Sequence, residues 1–344
     1  MELSTVLSLV RPNIRSLAPY STARDEYKGA LGIFLDANEN PFPNGYNRYP
    51  DPRQTALKGR ISSIKGVDPT RIFIGNGSDE AIDLCFRIFC VPDTDNAIAI
   101  RPSYGMYRVS ADINDIEMRE VQLNPDYSLP VEALLARADE HSKLLFLCSP
   151  NNPTGNRFPE AQIEDILNCF QGMVIVDEAY ADFAEGPSLL SILDRHPNLI
   201  VLQTLSKAYG MAGLRLGLAF ACPEVMQIFA NVKYPYNINL SGMEQAERLL
   251  TRDVASEIAI IKKERARVEK ALATYPCVLA VYHSDANFIL IKVTDAGTLY
   301  THLIERQVIV RNRSHIPGCE GCLRITIGTP QENDAMLAIV RDFN

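Results

Sequence analysis

Lys207 stands in the segment Thr204-Leu205-Ser206-Lys207-Ala208-Tyr209-Gly210, directly after the apolar run 199–202. Such a run reads as a buried strand. A lysine just past a buried strand, among hydroxyls and glycines, is placed to have a lowered pKa, and its neutral amine then condenses with carbonyls. A solvated surface lysine is the simpler reading of any single lysine, so the chemistry rests on the partners.

Five other segments supply candidate partners. Met173-Val174-Ile175-Val176 ends in Asp177, with Tyr180 three residues on. An acid there is either a helix N-cap or a carboxylate that holds a proton on a cofactor ring nitrogen. Gly77, Ser78 and Asp79 join a strand to a helix. They make either a tight turn, capped by Ser78 or Asp79, or a cradle for one phosphate at a helix N-terminus. The segment is neither a G-x-G-x-x-G fingerprint nor a Walker loop. Asn152 sits in Ser149-Pro150-Asn151-Asn152-Pro153-Thr154-Gly155, past the run 143–148, as a turn residue or a ligand contact. Arg215 follows Lys207 by eight residues and, with Thr204 and Ser206, can complete a phosphate cup. Arg324 alternates with apolar neighbours in Leu323-Arg324-Ile325. It lies either on an exposed face or inward, gripping an anionic substrate.

These residues need a scaffold that brings them to one edge. From residue 71 the pattern repeats strand, turn and helix, with strands at 71–74, 96–100, 143–148 and 173–176 and a helix at 78–89. Continuous apolar strands alternating with helices imply an α/β domain with a mostly parallel sheet between helices. After residue 237 the texture changes. Helices are expected near 241–250 and 253–274, strands near 286–293, 308–311 and 323–327, and a helix begins at Thr329-Pro330-Gln331-Glu332. The charges of 262–270 read as a solvated helix face. The division is an arm at 1–30 that packs with the small domain or a partner subunit, a large domain at 31–237, and a smaller α+β domain at 238–344.

Composition excludes other classes. The chain has 344 residues and a net charge of −8, which argues against nucleic acid or an anionic membrane as the main partner. No run approaches the ~18 apolar residues of a membrane span, and the N-terminus is not a signal peptide. Eight cysteines, most in apolar runs, suit reduced thiols in a cytoplasmic protein. Cys319-Glu320-Gly321-Cys322 has no second pair, so no metal site is expected.

Taken in order, Gly77-Ser78-Asp79, Asn152-Pro153-Thr154-Gly155, Asp177 to Tyr180, Ser206-Lys207, Arg215 and Arg324 resemble the fold type I enzymes that use pyridoxal 5'-phosphate. Arg11-Pro12-Asn13-Ile14, Asp36-Ala37-Asn38-Glu39-Asn40-Pro41, Arg48-Tyr49-Pro50, Pro102-Ser103-Tyr104-Gly105 and Val310-Arg311 are similar to the histidinol-phosphate aminotransferase group within them. The resemblance spans nearly the whole chain and departs at the loop 312–321.

It implies a Schiff base between Lys207 and the cofactor, with Lys207 then shuttling a proton. Asp177 would protonate the ring nitrogen, Asn152 and Tyr180 would bind the phenolic oxygen, and Tyr104 would stack on the ring. Gly77, Ser78, Thr204, Ser206 and Arg215 would hold the phosphate, and Asp79 would belong to the same cofactor-binding set. Tyr49 would reach the neighbouring site of a homodimer. Tyr20, Asn38, Arg311 and Arg324 would bind substrate. The implied reaction is ping-pong exchange between L-histidinol phosphate and 2-oxoglutarate, giving imidazole acetol phosphate and L-glutamate. Alternatives are an aromatic or broad-specificity aminotransferase, a lyase acting on threonine phosphate, and a non-catalytic binding protein, which would not need both Lys207 and Asp177.

Overall fold

The computed structural model of the chain describes residues 1–20 and 32–343, so most of the second half of the expected arm lies outside the described residues. Seven strands form one sheet in the order β1-β7-β6-β5-β4-β2-β3. They are β1 (Ile72–Asn76), β2 (Asn96–Arg101), β3 (Glu117–Gln122), β4 (Ser142–Cys148), β5 (Met173–Asp177), β6 (Leu199–Thr204) and β7 (Leu216–Phe220). Only β7 runs against its neighbours; the pairs β2·β3, β2·β4, β4·β5 and β5·β6 are parallel.

The strands are apolar on both faces because each face has its own core. Leu145, Leu147, Val174, Val176, Leu199 and Val201 point into one cluster. Their alternates Leu144, Phe146, Met173, Ile175, Ile200 and Leu202 point into the other. This two-residue alternation between two buried layers is what a covered parallel sheet requires.

The strand direction also sets the site. The carboxyl ends of β1, β4, β5 and β6 share one edge of the sheet. Antiparallel β7 starts at that same edge, so Arg215, the residue before it, arrives there too.

A second sheet, in the order β10-β11-β9-β8, is antiparallel throughout. It comprises β8 (Val278–Val281), β9 (Phe288–Val293), β10 (Arg311–Asn312) and β11 (Cys322–Thr326), with a separate apolar cluster. The helix Pro330–Arg341 starts as expected, with Thr329 and Glu332 in a reciprocal capping box.

Three expectations need correction. Residues 3–15 are packed rather than arm-like: Val6 and Val10 are buried in the core on one face of the large sheet, and Arg11 N–H donates to Ile88 O at 2.9 Å. The charge run on the helix Ala255–Leu272 is not wholly solvated, because Glu264 is buried and accepts from Arg267 and from Asn333 Nδ2 at 2.9 Å. The strand expected over 308–311 forms only at Arg311–Asn312.

Candidate active site

One cleft is lined by Gly77, Ser78, Asp79, Tyr104, Cys148, Asn152, Asp177, Ala179, Tyr180, Thr204, Ser206, Lys207 and Arg215. Eleven of the cofactor-side residues singled out in the sequence therefore converge, from five strand ends and the start of a sixth strand.

Lys207 follows β6 through a short turn. Leu205 is buried and its N–H donates to Leu216 O at 3.1 Å, which ties the turn to β7. Gly210, with φ +67°, closes the turn by donating to Lys207 O at 3.1 Å. The amine lies 5.6 Å from the centre of the Tyr180 ring. Its pKa is lowered, first by partial burial and then by repulsion from Arg324 and Arg215, with Asp177 opposing. The neutral amine is thereby reached more easily than on a free lysine.

Asp177 ends β5 and is buried, 3% exposed. Burial pushes its carboxyl up to about 6, against hydrogen bonds that favour the charged form. These come from Tyr107 Oη at 2.9 Å and from Ala179 N–H at 3.0 Å. Only a short 3-10 turn, Ala181–Phe183, follows, so Asp177 caps no α-helix. Tyr107 is fully buried, stacked on Phe146 with ring centres 4.9 Å apart. Its link to Asp177 spans seventy residues of chain and was not visible in any local motif.

The glycine turn is equally tight. Gly77 has φ +72°, and a Cβ there would lie 2.7 Å from Arg215 Nη2. Across from it, a Cβ on Gly217 would sit 2.0 Å from Ser78 N. Gly77 N–H donates to Arg215 O at 2.6 Å, which pins the two segments together. The helix Gly77–Phe89 has Asn76 as its N-cap residue, and neither Ser78 nor Asp79 caps it. Asp79 instead accepts from Tyr104 Oη at 3.0 Å and lies 3.7 Å from Arg215 Nη2. Thr204 Oγ1 accepts from Ser206 N–H at 3.1 Å.

This cradle fits pyridoxal 5'-phosphate. Backbone at a helix start, the three hydroxyls of Ser78, Thr204 and Ser206 and a half-open guanidinium suit one phosphate. A buried carboxylate with a raised pKa is relieved by a protonated ring nitrogen set against it.

Beside the cleft stands the small sheet, which touches it through Arg324 and the cleft-lining Asn152. Arg324 points inward: it donates to Asn152 Oδ1 and lies 5.2 Å over the Phe288 ring. Asn152 also approaches Tyr180 Oη at 3.5 Å. Arg311 is opposite Arg324 in the ladder. Arg311, Arg324, Tyr20, Asn38 and Tyr49 are not among the residues that line this cleft. Tyr20 is 76% exposed and edges a separate groove with Lys58 and Lys233. Asn38 is exposed with φ 55°. Tyr49 stacks on Tyr236 with ring centres 4.4 Å apart.

Cys319 and Cys322 are buried free thiols, and no metal-binding cluster of His, Cys, Asp or Glu occurs among the described residues. No helix among the described residues is long and apolar enough to cross a membrane.

Known proteins add three findings. The family model described as aminotransferase class I and II matches residues 37–340. The chain is 52% identical to a histidinol-phosphate aminotransferase of Parabacteroides distasonis over 97% of this chain and 98% of that protein. It is also 52% identical to one of Bacteroides thetaiotaomicron, over 99% of both. Among solved structures, the histidinol-phosphate aminotransferase of Clostridium acetobutylicum superposes with a TM-score of 0.79 at 23% identity, over 86% of this chain and 90% of that one. The Sinorhizobium meliloti protein of the same name, in complex with pyridoxal-5'-phosphate, does so with a TM-score of 0.78 at 22% identity over 96% of both. At these identities the two structures establish the shared fold.

Proposed function

Because the chain belongs to the aminotransferase class I and II family, we propose that it exchanges an amino group between L-histidinol phosphate and 2-oxoglutarate, yielding imidazole acetol phosphate and L-glutamate. One observation carries the reading. An amine, a buried carboxylate and an arginine–glycine phosphate cradle face a single cleft, in a chain half identical, end to end, to two relatives of that name.

Bound in the cleft, pyridoxal 5'-phosphate supplies a carbonyl that captures amines and a ring that accepts the electron pair left by C–H cleavage. Gly77, Ser78, Thr204, Ser206 and Arg215 hold the phosphate, with Asp79 orienting Arg215. Asp177 keeps a proton on the ring nitrogen. Asn152 and Tyr180 take the phenolic oxygen, and Tyr104 covers the ring. Lys207 Nζ anchors the cofactor, then moves the proton to and from the substrate carbon. Its tether gives it an effective concentration that no free base reaches. Arg324, with Arg311, binds the anionic end of each substrate in turn, which makes the kinetics ping-pong.

The large domain (31–237) and small domain (238–344) then form the two walls. Tyr20, Asn38 and Tyr49, which do not line their own chain's cleft, are assigned to sites shared in a homodimer. Eight free thiols favour a reducing, cytoplasmic setting.

The test is two-substrate kinetics with histidinol phosphate, phenylalanine and threonine phosphate, each with and without 2-oxoglutarate. Parallel double-reciprocal lines and strict dependence on the keto acid are expected, with histidinol phosphate preferred. Carbon dioxide release from threonine phosphate without a keto acid would make the protein a lyase, and a preference for phenylalanine would make it an aromatic aminotransferase.

A further inference from the structure

The small sheet places three arginines on one face. Arg311 pairs with Arg324 across β10·β11, and Arg313 N–H continues the ladder by donating to Cys322 O at 2.9 Å. Side chains alternate along a strand, so Arg311 and Arg313 share a face, and that face also carries Arg324. Like charges on adjacent strands repel, and nothing here offsets them. Among the described residues, no carboxylate lies within ion-pair distance of any of the three. Arg313 Nε, Arg324 Nε and the neighbouring Ser314 Oγ are buried without a hydrogen-bond partner.

We propose that Arg313 is a third arm of the substrate's anion site and the one that favours a phosphate monoester over a carboxylate. The inference rests on the proposed substrate and goes beyond Arg311 and Arg324. Arg313 shares the face of the ladder that carries Arg324, whose guanidinium reaches the cleft-lining Asn152. Burial and the charges of Arg324 and Arg311 lower its own pKa to about 10, as expected of a guanidinium held without a counter-ion.

The chemistry of the two substrates assigns the role. A carboxylate carries one charge and two oxygens, which a single arginine satisfies in bidentate fashion. A phosphate monoester carries about −1.5 to −2 at neutral pH, with three acceptor oxygens. Extra guanidiniums on the same face therefore add more to the phosphate than to the carboxylate of glutamate or 2-oxoglutarate. Three positive charges with unused donors match a dianion and exceed what a carboxylate can use.

The experiment compares the cofactor-loaded wild type with Arg313→Gln and Arg313→Lys. Each is assayed for the KM of histidinol phosphate, the KM of glutamate and 2-oxoglutarate, and inhibition by inorganic phosphate competing with glutamate. The expected result is a KM for histidinol phosphate raised about tenfold or more in Arg313→Gln, with less than about threefold change for the two dicarboxylates and weaker phosphate inhibition. Arg313→Lys should recover part of the loss, since it restores the charge without the fork. The thermal midpoint of the ligand-free Gln variant should stay level or rise, because a repulsion is removed. Equal effects on phosphate and carboxylate ligands, or no effect on either, would overturn the proposal. So would a fall in midpoint that accounts for the kinetic loss. If the wild type does not turn over histidinol phosphate but Arg313→Gln still weakens phosphate inhibition, the anion site stands and the assigned substrate falls.

Discussion

The two walls of the cleft are built on opposite principles. On the large-sheet wall, polar groups find partners within the chain: Asp177 with Tyr107 and Ala179, Asp79 with Tyr104 and Arg215, Gly77 with the backbone of Arg215. On the small-sheet wall, three guanidiniums share a face without an acid, and two of them bury an unpaired Nε. The first wall is organised before anything binds. The second is left electrostatically unsatisfied, so that an anion completes it. A resident cofactor calls for the former arrangement, since its geometry must be fixed for every turnover. Two substrates that alternate in one pocket call for the latter, because each must enter, be held by its charge, and leave.

The strongest way to break this contrast is at Lys207. Lys207→Ala should lower transamination by about 10³-fold or more and remove the borohydride-reducible link between protein and cofactor, read by mass spectrometry. A link at another lysine would show that the preorganised wall has been misassigned.

Asp177→Asn comes next. Turnover should fall by about 10²–10³-fold, while the cofactor-free protein becomes more stable above pH 6. The sign follows from linkage. The folded pKa of Asp177, about 6, lies above its unfolded value of 3.8. The contribution of this group to stability is thus fully present below about pH 4 and is lost as the pH rises through 6. The variant lacks that loss, so urea unfolding should give it an advantage of roughly 3 kcal/mol at pH 8 that vanishes near pH 4. No pH-dependent difference would mean that the carboxylate is not held under desolvation.

Arg324→Ala probes the other wall. It should raise KM for both histidinol phosphate and glutamate by about 10- to 100-fold, as loss of a charged, bidentate contact does. An effect on only one ligand would show that the two anions use separate arginines. In that case the second wall would not be a shared electrostatic surface.

Much of the first wall was legible because it is built from long apolar runs. β4, β5 and β6 are covered on both faces, so their sequences carry unbroken hydrophobic stretches, and the chemistry sits at or just after their ends. What escaped detection has physical reasons. β3, Glu-Met-Arg-Glu-Val-Gln, lies at the sheet edge and is largely polar. β7, Leu-Gly-Leu-Ala-Phe, is short and half small residues, because Gly217 must press against the backbone of Ser78. Tyr107 meets Asp177 only through tertiary packing. Arg313 was within reach, since a period of two from Arg311 puts it on the same face. The strand signal stops after two residues there, however, and the loop that follows has no pattern of its own.

Tyr107→Phe is the finest test of how far the preorganised wall is set by the chain itself. The substitution keeps the ring stacked on Phe146 and removes a single O–H donor. That donor favours the charged form of Asp177, and only burial outweighs it among the influences on this carboxyl. Without it the folded pKa of Asp177 should move further above 3.8, so the loss of stability with rising pH should still begin near pH 4 but continue to a higher pH and end deeper. Activity should drop by about 2- to 10-fold, the value of one neutral donor to a carboxylate. The effect is far smaller than that of Asp177→Asn, because the acid remains in place. A pH titration of urea unfolding on the cofactor-free variant checks the direction of the shift. A move toward lower pH would show that Tyr107 acts on Asp177 by packing alone, and that the carboxylate is held charged by the bound ring rather than by the chain.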